Sequence, residues 1–153
     1  MNSSSKSSRL RTMIIYRNQV LALASPADVQ IRLFPQGACI GDELVSDFDH
    51  NKLEFVTNHE VTTEQLEAIE VLDEFLTELS GSDNEVFWCD PEPLRDDPRW
   101  NRIRELAGAV LQCFNWKYSR PEKDGATYIF DDHVEINIKG VENKSVRIKG
   151  GQN

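Results

Sequence analysis

The run Asp47-Phe48-Asp49-His50 sets two carboxylates beside an imidazole, groups that can bind a divalent cation or move a proton. His59-Glu60 enlarges the set on paper. A shared site would need these groups on one face. Two residues apart on a helix, Asp47 and Asp49 point about 200° away from each other. No HExxH, EF-hand or paired-ligand spacing accompanies them. A metal-dependent enzyme built on Asp47, Asp49 and His50 is therefore the second reading. The first assigns no catalytic residue, no metal ligand and no cofactor.

Other chemistries fare no better. There is no GxSxG elbow for a nucleophilic serine, no GxGxxG and no Walker phosphate loop. The loop around Gly37-Ala38-Cys39-Ile40-Gly41 is short and lacks the basic residues that would cradle phosphate or activate a thiol. His133 stands beside Asp131 and Asp132 in a turn-like stretch. The cysteines Cys39, Cys89 and Cys113 are odd in number and widely spaced, with no CxxC knuckle. That pattern predicts neither a disulfide framework nor a zinc site, and it points to a reducing compartment. Cys113 falls on the apolar side of a helical pattern, as a small core residue does.

What the sequence does carry is charge. The net charge is -9 over 153 residues. It is unevenly spread: residues 42–97 hold eighteen acidic side chains against Lys52 and Arg95, while 1–41 and 98–123 are each net positive by 4. A dense negative field steers basic partners and repels nucleic-acid phosphates. Direct nucleic-acid binding is disfavoured. A basic protein partner fits.

The elements that would present this charge are mostly helical. Residues 1–8 are Ser-rich and read as a disordered tail ahead of a single domain over 9–153. Residues 9–34 fit a helix or a strand, and Ser25-Pro26-Ala27-Asp28 tips the second half toward a helix start. Ile40, Leu44, Val45 and Phe48 form a helical stripe. Thr62 and Gln65 form a capping box ahead of Leu66, Ile69, Leu72, Leu76 and Leu79, with Gly81 placed to stop the helix. Residues 88–94 read as a proline-punctuated connection. Asp97-Pro98 opens a further helix carrying Trp100, Ile103, Val110, Leu111 and Phe114 and ending near Trp116. Alternation at Tyr128–Phe130, Val134–Ile138 and Val146–Ile148 predicts strands in a strand-rich part at 126–149. The expected fold is mainly α: a small helical bundle over 9–118 with a short antiparallel β-hairpin or meander at the C-terminus, α+β being the alternative.

The N-terminal apolar run Met13-Ile14-Ile15-Tyr16 is too short for a signal-peptide core, and no stretch approaches a membrane span. With the cysteine pattern, this predicts a cytoplasmic protein without membrane association.

Three segments carry a resemblance: Gly41 through Asp49, Leu66 through Asp73 with Leu79-Ser80-Gly81, and Asp97-Pro98-Arg99-Trp100 through Leu111 with Asn115-Trp116. Together they resemble a pattern in small acidic bacterial proteins of unassigned function, some of which look like partners of secreted polymorphic toxins. Such proteins are similar to immunity proteins. The resemblance covers about residues 40–116 and implies a helical, acidic, non-enzymatic protein that neutralises a toxin domain by binding it. The candidate partner-binding residues are Asp47, Asp49, Glu67, Glu70, Asp73, Glu74 and Trp88, with Trp100 in the core and Trp88 the more exposed of the two. A third reading is a structural subunit that pairs through its C-terminal strands.

Overall fold

The first helix has no polar face to speak of. In α1 (Ser3–Ala24) the buried residues Thr12, Ile14, Tyr16, Asn18, Val20, Leu21, Ala22 and Leu23 run around the whole circumference. A helix buried on every side shows no amphipathic stripe, which is why its sequence admitted a strand as readily. The helical backbone starts at Ser3, so it takes in most of the stretch expected to be a tail. The computed structural model describes residues 3–80 and 85–123, with side chains from Ser8 onward, and the backbone of 126–130, 135–137 and 144–148.

Around α1 the described residues form α2 (Ala27–Arg32), α3 (Ile40–Asn58), α4 (Thr63–Ser80), α5 (Glu85–Cys89), α6 (Pro91–Asp96) and α7 (Pro98–Cys113). Helices α3 and α7 both pack on α1, and α4 packs on α7. The stripe Ile40, Leu44, Phe48 and Phe55 faces α1, where Tyr16 stacks on Phe55 at 4.4 Å. Ile69, Leu72 and Leu76 of α4 are buried, but Leu66 is 41% exposed at the helix start. No helix among the described residues is long and apolar enough to cross a membrane.

The helix ends follow the signals in the sequence. The Thr62 amide donates to Gln65 Oε1 at 2.9 Å and the Gln65 amide donates to Thr62 Oγ1 at 3.1 Å, a reciprocal capping box. Gly81 lies outside the described residues. Asp97 caps α7 by accepting from the Arg99 amide at 2.8 Å. At the other end Asn115 adopts φ 56°, while the Trp116 and Asn115 amides donate to Leu111 and Gln112 carbonyls. This Schellman arrangement turns Trp116 back to stack on Phe114 at 4.3 Å. The expected connection at 88–94 is instead two short helices, because Pro91 opens α6 as Pro98 opens α7.

A correction concerns the cysteines. Cys39 and Cys89 form a disulfide, with Cα atoms 4.0 Å apart at a sequence separation of 50. Spacing alone could not reveal this, since the pairing depends on α3 beginning where α5 ends. Gly41 makes that possible: a Cβ there would sit 2.5 Å from the Trp88 carbonyl oxygen and 2.9 Å from the Trp100 ring. A cross-link over a loop of this length removes roughly 4 kcal/mol of unfolded-chain entropy. The disulfide also removes the cysteine argument for a reducing compartment. Cys113 remains free and half-buried.

Three short strands follow: β1 (Ala126–Phe130), β2 (Glu135–Asn137) and β3 (Lys144–Ile148), in the order β2-β1-β3. β1 is antiparallel to β2 and parallel to β3. The hairpin or meander expected at 126–149 is not supported as part of the fold. Its connections and side chains lie outside the described residues, and a meander would need both pairings antiparallel.

Polar groups lock the end of α1. The Gln30 side chain donates to the carbonyls of Ala22 and Leu23, and the Arg104 guanidinium donates to Ser25 O at 2.9 Å, Gln30 Oε1 at 2.8 Å and the Leu94 carbonyl. Burial holds Arg104 below the usual arginine range. Replacing Arg104 with Met is expected to lower stability by about 2–3 kcal/mol by orphaning buried acceptors. Arg104→Lys is expected to recover less than half, because an ammonium cannot reach the same fork of partners. Urea unfolding midpoints check both.

Candidate functional site

Helical spacing builds an acidic cleft. Along α3, Asp42, Val45, Ser46 and Asp49 recur at three- and four-residue steps and share one face. Along α4, Asp73, Leu76, Thr77 and Ser80 do the same. The two faces meet with α5 across one end, which supplies Glu85, Trp88 and Cys89. Between them lies a cavity of about 690 Å³, open to solvent. Its walls carry Asp42, Glu43, Asp49, Asp73 and Glu85, and among the described residues no lysine, arginine or histidine lines it. Val45, Phe48, Leu76 and Trp88 are the large apolar side chains of its lining.

The cleft brings together some of the expected partner-binding residues and separates others. Asp49, Asp73 and Trp88 line it. Trp88 is 7% exposed against 0% for Trp100, so the expected ranking holds, although both belong to the core. Glu67 and Glu74 are exposed on α4 away from the cleft walls. Asp47 points elsewhere and lines a smaller concavity with Asn18, Gln19 and Lys123. Asp42, Glu43 and Glu85 were not among the expected binding residues. The signal for the first was its i, i+7 relation to Asp49.

Glu70 and Asp73 are compensated within the chain. Lys52 Nζ on α3 lies 3.1 Å from Glu70 and 2.9 Å from Asp73 on α4. Burial pulls the Lys52 ammonium down, but its bonds to Asp73 and Glu70 more than offset this and hold it above the usual lysine range. The Tyr16 hydroxyl is fully buried and makes no hydrogen bond among the described residues. Burial, and then the charges of Asp73 and Glu70, push its phenol well above the usual tyrosine range. Both shifts, of Lys52 and of Tyr16, run away from neutral pH.

The Asp47, Asp49 and His50 cluster does not converge. Asp47 and Asp49 face different concavities, and His50 is exposed. His59 packs against the Phe55 ring at 4.7 Å, its Nε2 buried without a hydrogen bond. Among the described residues, the group able to converge on a metal is Cys39, Asp42 and Cys89, with ligand atoms within 4.8 Å of one another. Both sulfurs are already spent on the S–S bond.

Two expectations follow from this electrostatics. Asp73→Lys is expected to lower stability by about 1–2 kcal/mol, because it sets a second ammonium against Lys52. Glu67→Lys, on an open helix face, should change it by less than about 0.5 kcal/mol. Denaturant titration separates them. His59 gives a pH signature. Burial, and then the neighbouring Arg9, hold its imidazole below the ordinary value of 6.5. The unfolded chain therefore takes up the proton first, and stability falls as pH drops through about 6.5. His59→Phe, which keeps the ring contact, should flatten the fall in Tm between about pH 6.5 and 5. An unaltered slope would assign the loss to other groups.

Comparison with protein-family models, with curated proteins and with solved structures returned no match, so the functional reading rests on the geometry of the cleft.

Proposed function

We propose that this chain is a non-enzymatic binding module whose acidic cleft receives basic side chains of a protein partner. An immunity protein that neutralises a cognate bacterial toxin is the leading case. One observation carries the reading: a cavity of about 690 Å³ whose walls carry Asp73, paired with Lys52, and four carboxylates, Asp42, Glu43, Asp49 and Glu85, that form no ion pair among the described residues, with apolar side chains in the same lining. That combination suits the stem and head of a lysine or arginine, whose methylenes lie on apolar surface while the charge meets carboxylates. A nucleic acid would meet its own sign of charge there. The immunity assignment adds the resemblance over residues 40–116 and the acidic middle third of the chain. A toxin that cuts nucleic acid would carry the basic groove such a cleft complements.

The reading places the protein in the cytoplasm with its toxin. Disulfides in that compartment are usually transient or redox-sensing rather than structural staples. A metal-dependent enzyme finds no support in the Asp47, Asp49 and His50 cluster, whose members face apart.

The test is capture of partners from the native host with the tagged protein, at low and then high salt. The expected result is a basic protein in stoichiometric amount that is released as salt rises. The doubly reversed variant Asp42→Lys, Asp49→Lys is expected to bind that partner roughly 100-fold more weakly, mostly through slower association, with Tm kept within a few degrees. Equal affinity in the reversed variant would place the interface elsewhere on the molecule.

A further inference from the structure

Every residue that lines the cleft lies between Cys39 and Cys89 in sequence, so the disulfide closes the loop of chain that forms it. Helix α3 rests on α1 and α4 rests on α7, with little direct contact between α3 and α4. Two ties cross the gap. At one end Lys52 of α3 bridges Glu70 and Asp73 of α4. At the other, about 20 Å further along α3, Cys39 is bonded to Cys89 at the end of α5. Cys89 itself lines the cleft and is partly exposed.

We infer that the Cys39–Cys89 pair is a redox clasp that sets the affinity of the cleft for cationic side chains, an inference that rests on the cleft being the binding site. The oxidised form holds Glu85 and Asp42 at the fixed separation the ligand needs. Reduction removes the covalent tie between the end of α5 and the start of α3. The fold survives this, because Phe87 and Trp88 stay packed against Trp100 at 5.4 and 5.9 Å between ring centres and the Trp88 backbone stays against Gly41. Their burial keeps α5 docked, while the released Cys39 and Cys89 side chains gain freedom beside the cleft.

The exchange needs only a thiol reductant of the glutathione class. Its thiolate attacks the Cys89 sulfur, the S–S bond breaks, and the Cys39 sulfur leaves with the electron pair and takes a proton. A second reductant thiol resolves the mixed disulfide, giving two protein thiols and one reductant disulfide. Cys39 is the N-cap residue of α3, so the sulfur that leaves does so at the positive end of a 19-residue helix. Attack on Cys89 comes through the cleft, so a bound cationic ligand shields the bond. Linkage makes this reciprocal: a ligand that prefers the oxidised form must make that form harder to reduce.

The experiment measures binding of a fluorescein-labelled tetra-arginine peptide at low salt to oxidised protein, to protein reduced with glutathione, and to the Cys39→Ser, Cys89→Ser double variant. Cys113→Ser serves as control for the remaining thiol. The oxidised protein is expected to bind at least tenfold more tightly than the reduced protein and the double variant, with Cys113→Ser keeping the response. A tenfold difference requires the midpoint potential to fall by about 30 mV when peptide saturates the protein. Equal affinity in both redox states, with binding still abolished by Asp42→Lys, would overturn the clasp and leave the cleft standing. Binding in neither state would overturn the cleft reading and the clasp with it. Loss of the cooperative melt on reduction would show a structural staple and also overturn the clasp.

Discussion

The arrangement depends on how the buried C-terminal end of α1 is satisfied. The last carbonyls of α1 have no intrahelical donors, and the surrounding core keeps water away from them. Gln30 and Arg104 supply the donors instead, reaching Ala22, Leu23 and Ser25 from α2 and α7. Arg104 also bonds the carbonyl of Leu94 on α6. One guanidinium therefore fixes four helices against each other, and its positive charge sits at the negative end of α1. A fork of donors does this where an apolar residue could not. With α1 anchored, α3 and α7 have a fixed post to pack on. The positions of α4 and α5 follow from theirs.

The cleft is a by-product of that packing order. α3 turns Leu44, Phe48 and Phe55 inward, and α4 turns Ile69, Leu72 and Leu76 inward. Both helices spend their apolar faces on other neighbours, so little remains to draw them together. The gap fills with polar groups from their flanks. Lys52 joins the flanks at one point, where Asp73 and Glu70 accept from it. Beyond that point no cation enters the walls, and the carboxylates of Asp42, Glu43, Asp49 and Glu85 form no ion pair among the described residues.

Much of this was legible in the sequence where the signal is local. The Thr62–Gln65 box and the Asp97-Pro98 start can be read because capping chemistry is confined to four residues. The stripes on α3, α4 and α7 can be read because each of those helices has one wet side. The first helix could not be told from a strand, since burial around its whole girth erases the stripe. The disulfide was invisible for a different reason: its partners are neighbours only after α3 and α5 have met over Gly41. Which acids share the cleft was hidden in part on the same ground. Asp49 and Asp73 reach the cleft and Asp47 does not, but a run of eighteen acidic residues does not say which ones Lys52 neutralises. Only the contact between α3 and α4 decides that.

The four wall carboxylates left unpaired carry an energetic argument of their own. Like charges held around one cavity repel, and Lys52 relieves this at Asp73 alone among the described wall residues. The arrangement costs stability in the free protein and returns it when a cation arrives, because each incoming charge relieves repulsion as well as making its own contacts. A ligand that binds only the folded form then raises stability in proportion to its affinity. The apolar lining would add to this, since the partly exposed Val45 can desolvate part of the stem of a long basic side chain as its head is neutralised. On the proposed reading, affinity and specificity for a basic partner would arise from one feature, and a neutral or acidic partner would gain from neither part of it.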